Sequence, residues 1–156
     1  MTPEYKKKLT IRFWEKVTKS EYCWEWNGVK GRGGYGRISV HGRYRAAHRV
    51  AWQLAGKDLP DGMLLDHICH NPACVNIKHL RLADTKRNAE NLSAPGVNNR
   101  TGHRGVTYVE SRGLYEARVG HFGKNLWAGY HHTADQAASA ARQKRNEVFT
   151  HNDSDR

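Results

Sequence analysis

Cys69 and Cys74 sit in one polar loop, His79 follows five residues further on, and Cys23, far upstream, is the only other cysteine. A structural zinc takes four nitrogen or sulfur donors in a tetrahedron. Cys23, Cys69, Cys74 and His79 therefore form a candidate ligand set that would tie the N-terminal part of the chain to the loop. Three thiols cannot all pair with one another, and thiols inside cells stay reduced, which favours a metal over a disulfide. Each cysteine taken singly reads equally as a small buried hydrophobe; the joint occurrence with His79 points to zinc.

Composition explains why such a staple is needed. Only 38% of the 156 residues are hydrophobic, which is thin for a large core, and a bound metal supplies folding free energy that the core lacks. Lys and Arg number 26 against 15 Asp and Glu, a formal charge of +11. That balance fits a polyanionic partner, either nucleic acid or an anionic membrane surface. The sequence has no apolar run long enough to span a bilayer, and Met1 to Lys8 is charged with no apolar stretch behind it. Neither a spanning helix nor a secretory signal is expected, and the protein is expected to act inside the cell, in the cytoplasm.

Thr2-Pro3 and the helical spacing of Leu9, Phe13 and Val17 predict a helix over residues 3–18. Tyr22 to Trp26 reads as a short strand, and Tyr35 to Val40 with Arg43 to Ala46 as a hairpin turning at His41-Gly42. Ala47 to Leu54 reads as a helix stopped by Gly56. Met63 to Leu65 is an apolar strand ending in Asp66-His67, Leu80 to Leu82 is another, and Asp84 is placed to cap a helix from Thr85 to about Leu92. Residues 93–100 have linker composition, so a boundary is expected there, after a first domain over 1–92. Three strands (Gly105 to Val109, Leu114 to Val119, Asn125 to Gly129) and an alanine-rich helix (Thr133 to about Val148) then make a small module over 101–149, followed by a tail over 150–156. The fold class is α+β.

With the loop pinned, the strand before it, the strand after it and the helix from Thr85 form a ββα unit. Asp66 and His67 end the first strand, and Asn88 lies one turn into the helix, where it can face them. A carboxylate and an amide oxygen from Asp66 and Asn88 suit a hard cation such as magnesium or manganese, which would neutralise charge growing on a phosphodiester under attack. A neutral imidazole on His67, with an ordinary pKa of about 6.5, can take a proton from the attacking water. His70 and Asn76 read as structural, Asn76 through bonds to the loop backbone.

On Asp66-His67, Cys69, Cys74, His79 and Asn88, the segment over roughly residues 11–92 resembles the HNH nucleases, most closely the branch that includes the His-Cys box and phage HNH homing endonucleases. The resemblance implies a zinc-stabilised ββα-metal core. In such a core His67 is the general base, and Asn88 holds the catalytic ion together with Asp66, as in relatives whose motif begins Asp-His. His79, Cys69, Cys74 and Cys23 hold the structural zinc. Tyr35-Gly36-Arg37 and Ala47-His48-Arg49 also resemble family elements, in which Arg37 or His48 would hold the scissile phosphate. Either reads equally as a generic backbone contact or, for His48, as a satisfied helix-face histidine.

Residues 101–149 resemble the DNA-binding domain of the plant ethylene-response factors, through Arg104-Gly105-Val106, Tyr115 to Val119, Trp127 to Tyr130, Thr133-Ala134, Ala137, Ala138 and Ala141. In that family the three-stranded sheet lies in the major groove. The resemblance puts Arg104, Arg112, Arg118 and Trp127 at DNA-contacting positions, and arginine suits them because its planar fork grips guanine or two phosphate oxygens. The other reading packs Trp127 on the alanine face and leaves the arginines solvated. Tyr115 stands where the plant domains carry tryptophan, a departure that bears on base specificity.

These readings converge on a metal-dependent endonuclease that hydrolyses double-stranded DNA, by nicking or double-strand cleavage, to 5'-phosphate and 3'-hydroxyl ends. Its metals are magnesium or manganese for catalysis and zinc for structure, with no small-molecule cofactor and no membrane partner. A phage origin is implied by the resemblance alone. The alternative is a non-catalytic, zinc-stapled DNA-binding regulator.

Overall fold

The structure, a computed structural model, describes residues 2–92 and 94–155. Met1, Ser93 of the expected linker and Arg156 of the expected tail lie outside them. Helices and small sheets mix along the chain in an α+β fold that divides into two compact units, one up to Thr85 and one from Lys86 onward.

In the first unit, α1 (Pro3–Trp14) starts where its sequence signals set it: Thr2 Oγ1 accepts from the Tyr5 amide at 3.3 Å, and Pro3 fills the first turn. The helix ends before residue 18, because β1 (Val17–Lys19) leaves it to pair antiparallel with β2 (Trp24–Trp26). Val17 is in helical phase with Leu9 and Phe13, yet it packs on the core from a strand. β3 (Arg37–Val40) and β4 (Arg43–Ala46) form the expected hairpin. Its two-residue turn has positive φ at both His41 (49°) and Gly42 (75°), the arrangement whose twist matches the flanking strands. α2 (Ala47–Leu54) follows, and then β5 (Leu64–His67) pairs antiparallel with β6 (Leu80–Ala83), Asp66 opposite Arg81 and His67 opposite Leu80.

Leu9, Phe13, Trp26, Ile38, Ala47, Val50, Ala51 and Val75 build the core of this unit, with Phe13 and Trp26 fully buried. Gly36 passes so close to the Trp26 indole that an added Cβ would stand 2.5 Å from Cδ1, so only glycine fits there. Each fully buried large side chain contributes about 1.5–3 kcal/mol. Two-stranded ribbons of this length are marginal alone, so the unit depends on this cluster and on whatever fastens the long loop between β5 and β6.

The second unit opens with α3 (Thr85–Glu90), whose first residue closes the first unit. β7 (Val106–Val109), β8 (Leu114–His121) and β9 (Lys124–His131) then form an antiparallel sheet in that order, with a bulge between Ala117 and Arg118. α4 (Ala134–Val148) is capped by Thr133, whose Oγ1 accepts from the Gln136 amide. The small Ala137 and Ala141 let it lie close on Val106, Ala117 and Val119, with Phe149 completing the cluster. Among the described residues, no helix is long and apolar enough to cross a membrane.

Candidate functional site

The loop between β5 and β6 is stitched to β2 by its main chain. The Trp26 amide donates to the Ala73 carbonyl at 3.0 Å and the Val75 amide to the Trp24 carbonyl at 2.8 Å. Asn71 shapes the loop by accepting from the Ala73 amide (3.0 Å) and donating to Glu25 (2.7 Å), and Asn76 accepts from the Lys78 amide at 3.0 Å. This pairing carries Cys23, one residue before β2, to Cys74. The ligand atoms of Cys23, Cys69, Cys74 and His79 all lie within 4.8 Å of one another, and His79 Nδ1 stands 3.7 Å from Cys23 Sγ and 3.6 Å from Cys74 Sγ. A tetrahedron with bonds of about 2.3 Å to sulfur and 2.0 Å to nitrogen has edges of roughly 3.5–3.8 Å. The residues fit, and the cluster can hold a zinc ion. Crowding also splits the acidity of the thiols: the hydrogen bond from Cys69 holds Cys74 down to about 4, while Cys69 is pushed up by the same bond and by burial.

His67, buried at 6% exposure, ends β5 beside this cluster. Its Nε2 lies 2.9 Å from the carbonyl oxygen of Cys74. A carbonyl only accepts, so Nε2 carries the hydrogen and Nδ1 is the basic nitrogen. Burial lowers the pKa of His67, although the bond to the Cys74 carbonyl works against that. Two rings flank it: His48 of α2 meets it edge-on at 4.9 Å between centroids, and Tyr35 lies 5.9 Å from His67 and 5.5 Å from His48. His48 is as buried as His67, and burial first, then the neighbouring His67 and Arg49, lowers its pKa to about 3. Its Nδ1 is buried without a hydrogen-bond partner. Both imidazoles are therefore neutral at neutral pH.

Asp66 is buried next to His67 in sequence, and its Oδ2 accepts from Arg81 Nε at 2.9 Å across the β5–β6 ladder. A buried carboxylate needs such a partner, since an uncompensated charge there costs several kcal/mol. Arg37, at the start of β3, is exposed and stacks over the Tyr44 ring at 4.8 Å. Asn88 stands on α3, within the second unit.

The second unit presents its own aromatic and basic face. Trp127 is 60% exposed, and its ring meets that of Tyr130 at 5.9 Å, so it does not pack into the alanine face. Arg112 lies 4.9 Å over Tyr130, and Arg118, opposite Trp127 in the sheet, pairs with the buried Glu116 at 2.7 Å. Arg104 is placed differently from these three. Its guanidinium donates to the carbonyls of Ala89, Glu90 and Leu92.

Comparison with known proteins joins these observations. Residues 45–90 match the HNH endonuclease family model, a span holding His48, Asp66, His67, Cys69, Cys74, His79 and Asn88 but not Cys23. Among curated relatives, the gene 5.3 protein of Enterobacteria phage T3, described as uncharacterized, is 31% identical over 78 residues, 46% of this chain and 75% of the relative. The chain belongs to the family of that phage protein. Protein 7.7 of Escherichia phage T7 is 41% identical over 76 residues, 49% of this chain and 58% of the relative. Protein 2.8 of the same phage is 35% identical over 104 residues, 65% of this chain and 66% of the relative. The chain thus spans less than two thirds of the length of both T7 proteins. No solved structure matches. This member of the family carries a segment that matches the HNH endonuclease model, and its Cys-His cluster lies mostly inside that segment.

Two functional neighbours were not legible from sequence. Arg81 pairs with Asp66 only because β5 and β6 adopt one particular register, which a long intervening loop conceals. Tyr130 meets Trp127 because β9 takes one extra residue, Ala128, at the bulge opposite Ala117 and Arg118, which brings residues three apart to one side of the strand.

Proposed function

We propose that this chain is a divalent-metal-dependent DNA endonuclease in which His67 is the general base. The observation that carries this reading is the hydrogen bond from His67 Nε2 to the Cys74 carbonyl, which leaves Nδ1 as proton acceptor in a residue of the HNH segment. Asp66 and Asn88 are the proposed holders of a magnesium or manganese ion, and their hard oxygen donors suit it. The ion supplies charge neutralisation at the phosphate when bound. His67 takes the proton of the attacking water at Nδ1 as the new P–O bond forms and the P–O3' bond breaks; the leaving 3' oxygen takes a proton from solvent, and the products are a 5'-phosphate and a 3'-hydroxyl.

His48, with its unbonded Nδ1 and its ring against His67, is the proposed contact for the scissile phosphate. Arg37 is the proposed guide for the backbone nearby. Arg112, Arg118 and Trp127 are the proposed face for duplex DNA, supported by the exposure of Trp127 and the cationic side chains around it. The deciding experiment is nicking of supercoiled plasmid with magnesium by the zinc-loaded chain and by His67→Ala. Cleavage by the first and none by the second is expected. No cleavage with any divalent ion would leave a zinc-stapled DNA-binding regulator.

A further inference from the structure

α3, with 6 residues, is the shortest α-helix among the described residues, and it carries Asn88. Isolated helices below about 12–15 residues are marginal in water, so α3 has to be held from outside. A helix end leaves its last carbonyls without partners. Arg104 partners two of them, Nη1 donating to Glu90 O at 3.0 Å and Nη2 to Ala89 O at 3.0 Å, and Nη1 also reaches Leu92 O, two residues past the helix, at 2.6 Å. One guanidinium thus closes the C-terminal end of the helix from a site fourteen residues away, just ahead of β7.

Glu90, the last residue of α3 and 3% exposed, reaches the segment after α4. Its Oε2 accepts from the amides of Thr150 (3.0 Å) and His151 (3.3 Å) and from Thr150 Oγ1 (3.2 Å), while Lys86 pairs with Oε1 at 2.7 Å. Arg104 is itself anchored: its carbonyl accepts from Arg145 Nη1 at 2.9 Å, and Arg145, 5% exposed on α4, pairs with Asp155. A continuous chain of polar contacts therefore runs from α4 through Arg145 and Arg104 to α3, with a second running from residues 150–151 through Glu90.

We infer that Arg104 and Glu90 are positioning residues for Asn88, so that the C-terminal module holds the helix bearing a ligand of the catalytic ion. This rests on the nuclease reading, in which Asn88 is that ligand. The module is then part of the cutting domain as well as a DNA-binding face, and Arg104 works inside the protein.

The test compares the full zinc-loaded chain with Glu90→Gln, Arg104→Met and Arg104→Lys. Hydrogen exchange over residues 85–92, the magnesium concentration for half-maximal nicking, and duplex affinity without magnesium are all measured. Expected are at least tenfold faster exchange in that segment for Glu90→Gln and Arg104→Met, with β8 protection and zinc content intact. Half-activation should need at least threefold more magnesium, with affinity within twofold, and Arg104→Lys should fall between. Where a variant loses β8 protection, the module itself has opened and Arg104→Lys decides instead. Unchanged exchange overturns the inference. So does a loss of affinity with the magnesium requirement unmoved, which would make Arg104 a DNA contact. Failure of the unaltered chain to nick overturns the nuclease reading and Asn88's role with it, while exchange over residues 85–92 still decides whether the clamp exists.

Discussion

His67 donates from Nε2 to the carbonyl oxygen of Cys74, whose own sulfur faces His79 Nδ1 at 3.6 Å. A hydrogen bond of this kind contributes about 0.5–1.5 kcal/mol net, enough to favour one tautomer of the imidazole several-fold. The backbone of the cysteine loop thus selects which nitrogen can accept a proton.

Removing the zinc is expected to unfold the first unit. Structural zinc in small domains is worth about 10–16 kcal/mol, while whole domains are stable by about 5–15 kcal/mol, so its loss is of the same size as the whole margin. Elemental analysis should find one zinc per chain. Chelation, Cys74→Ser and His79→Ala should each abolish the cooperative thermal transition of this unit. A stripped chain with an unchanged Tm would contradict the staple.

Replacing the proposed base, His67, should separate chemistry from stability. His67→Ala is expected to lower kcat by about 100- to 10,000-fold and also to cost about 1–3 kcal/mol, because the buried Cys74 carbonyl loses its donor. His67→Gln can restore a donor without restoring a base. It should therefore be the more stable of the two and equally inactive, as plasmid nicking and urea midpoints would show.

Acidity acts on this site in one direction. Burial lowers the pKa of His67, so the proposed base stays unprotonated below the usual range, and the acid limb of kcat/KM should lie below about pH 6.5. His48, lowered to about 3, has the matching effect on stability. The unfolded chain takes up a proton as pH falls through about 6.5, and the fold does not until about 3. Stability present above the first value is lost progressively towards the second. Urea midpoints across this window should slope less in His48→Gln than in the unaltered chain; equal slopes would remove His48 from the account.

On the proposed DNA face, Trp127→Ala is the cleaner probe. Because Trp127 is mostly exposed, the change should leave the Tm nearly unaltered and weaken duplex binding by about 1–2 kcal/mol, as truncating an anchoring tryptophan at an interface does. Arg118→Ala also strips the partner from the buried Glu116, so its effect on binding would be mixed with a loss of stability. Undiminished binding by Trp127→Ala in a filter or anisotropy assay would rule this face out.

The cysteine-histidine cluster was legible in the sequence because ligand chemistry limits both residue type and spacing, and the structure brings all four residues together. The strand carrying Asp66 and His67 was legible from its apolar run. Other features were hidden by physical ambiguity. Val17 keeps helical phase but leaves the helix as β-branched strand. The expected strands stop at Val119 and Gly129, yet β8 and β9 run on to His121 and His131. Arg104 left no sequence signal of its placement, because its partners are main-chain carbonyls, which every residue possesses.

Cys74 lends its side chain to one centre and its main chain to another. On the nuclease reading, a freshly synthesised polypeptide still lacking its structural ion has no folded loop to seat the imidazole. Loading of that ion would then precede any cutting, so metal supply and hydrolysis are coupled through one residue.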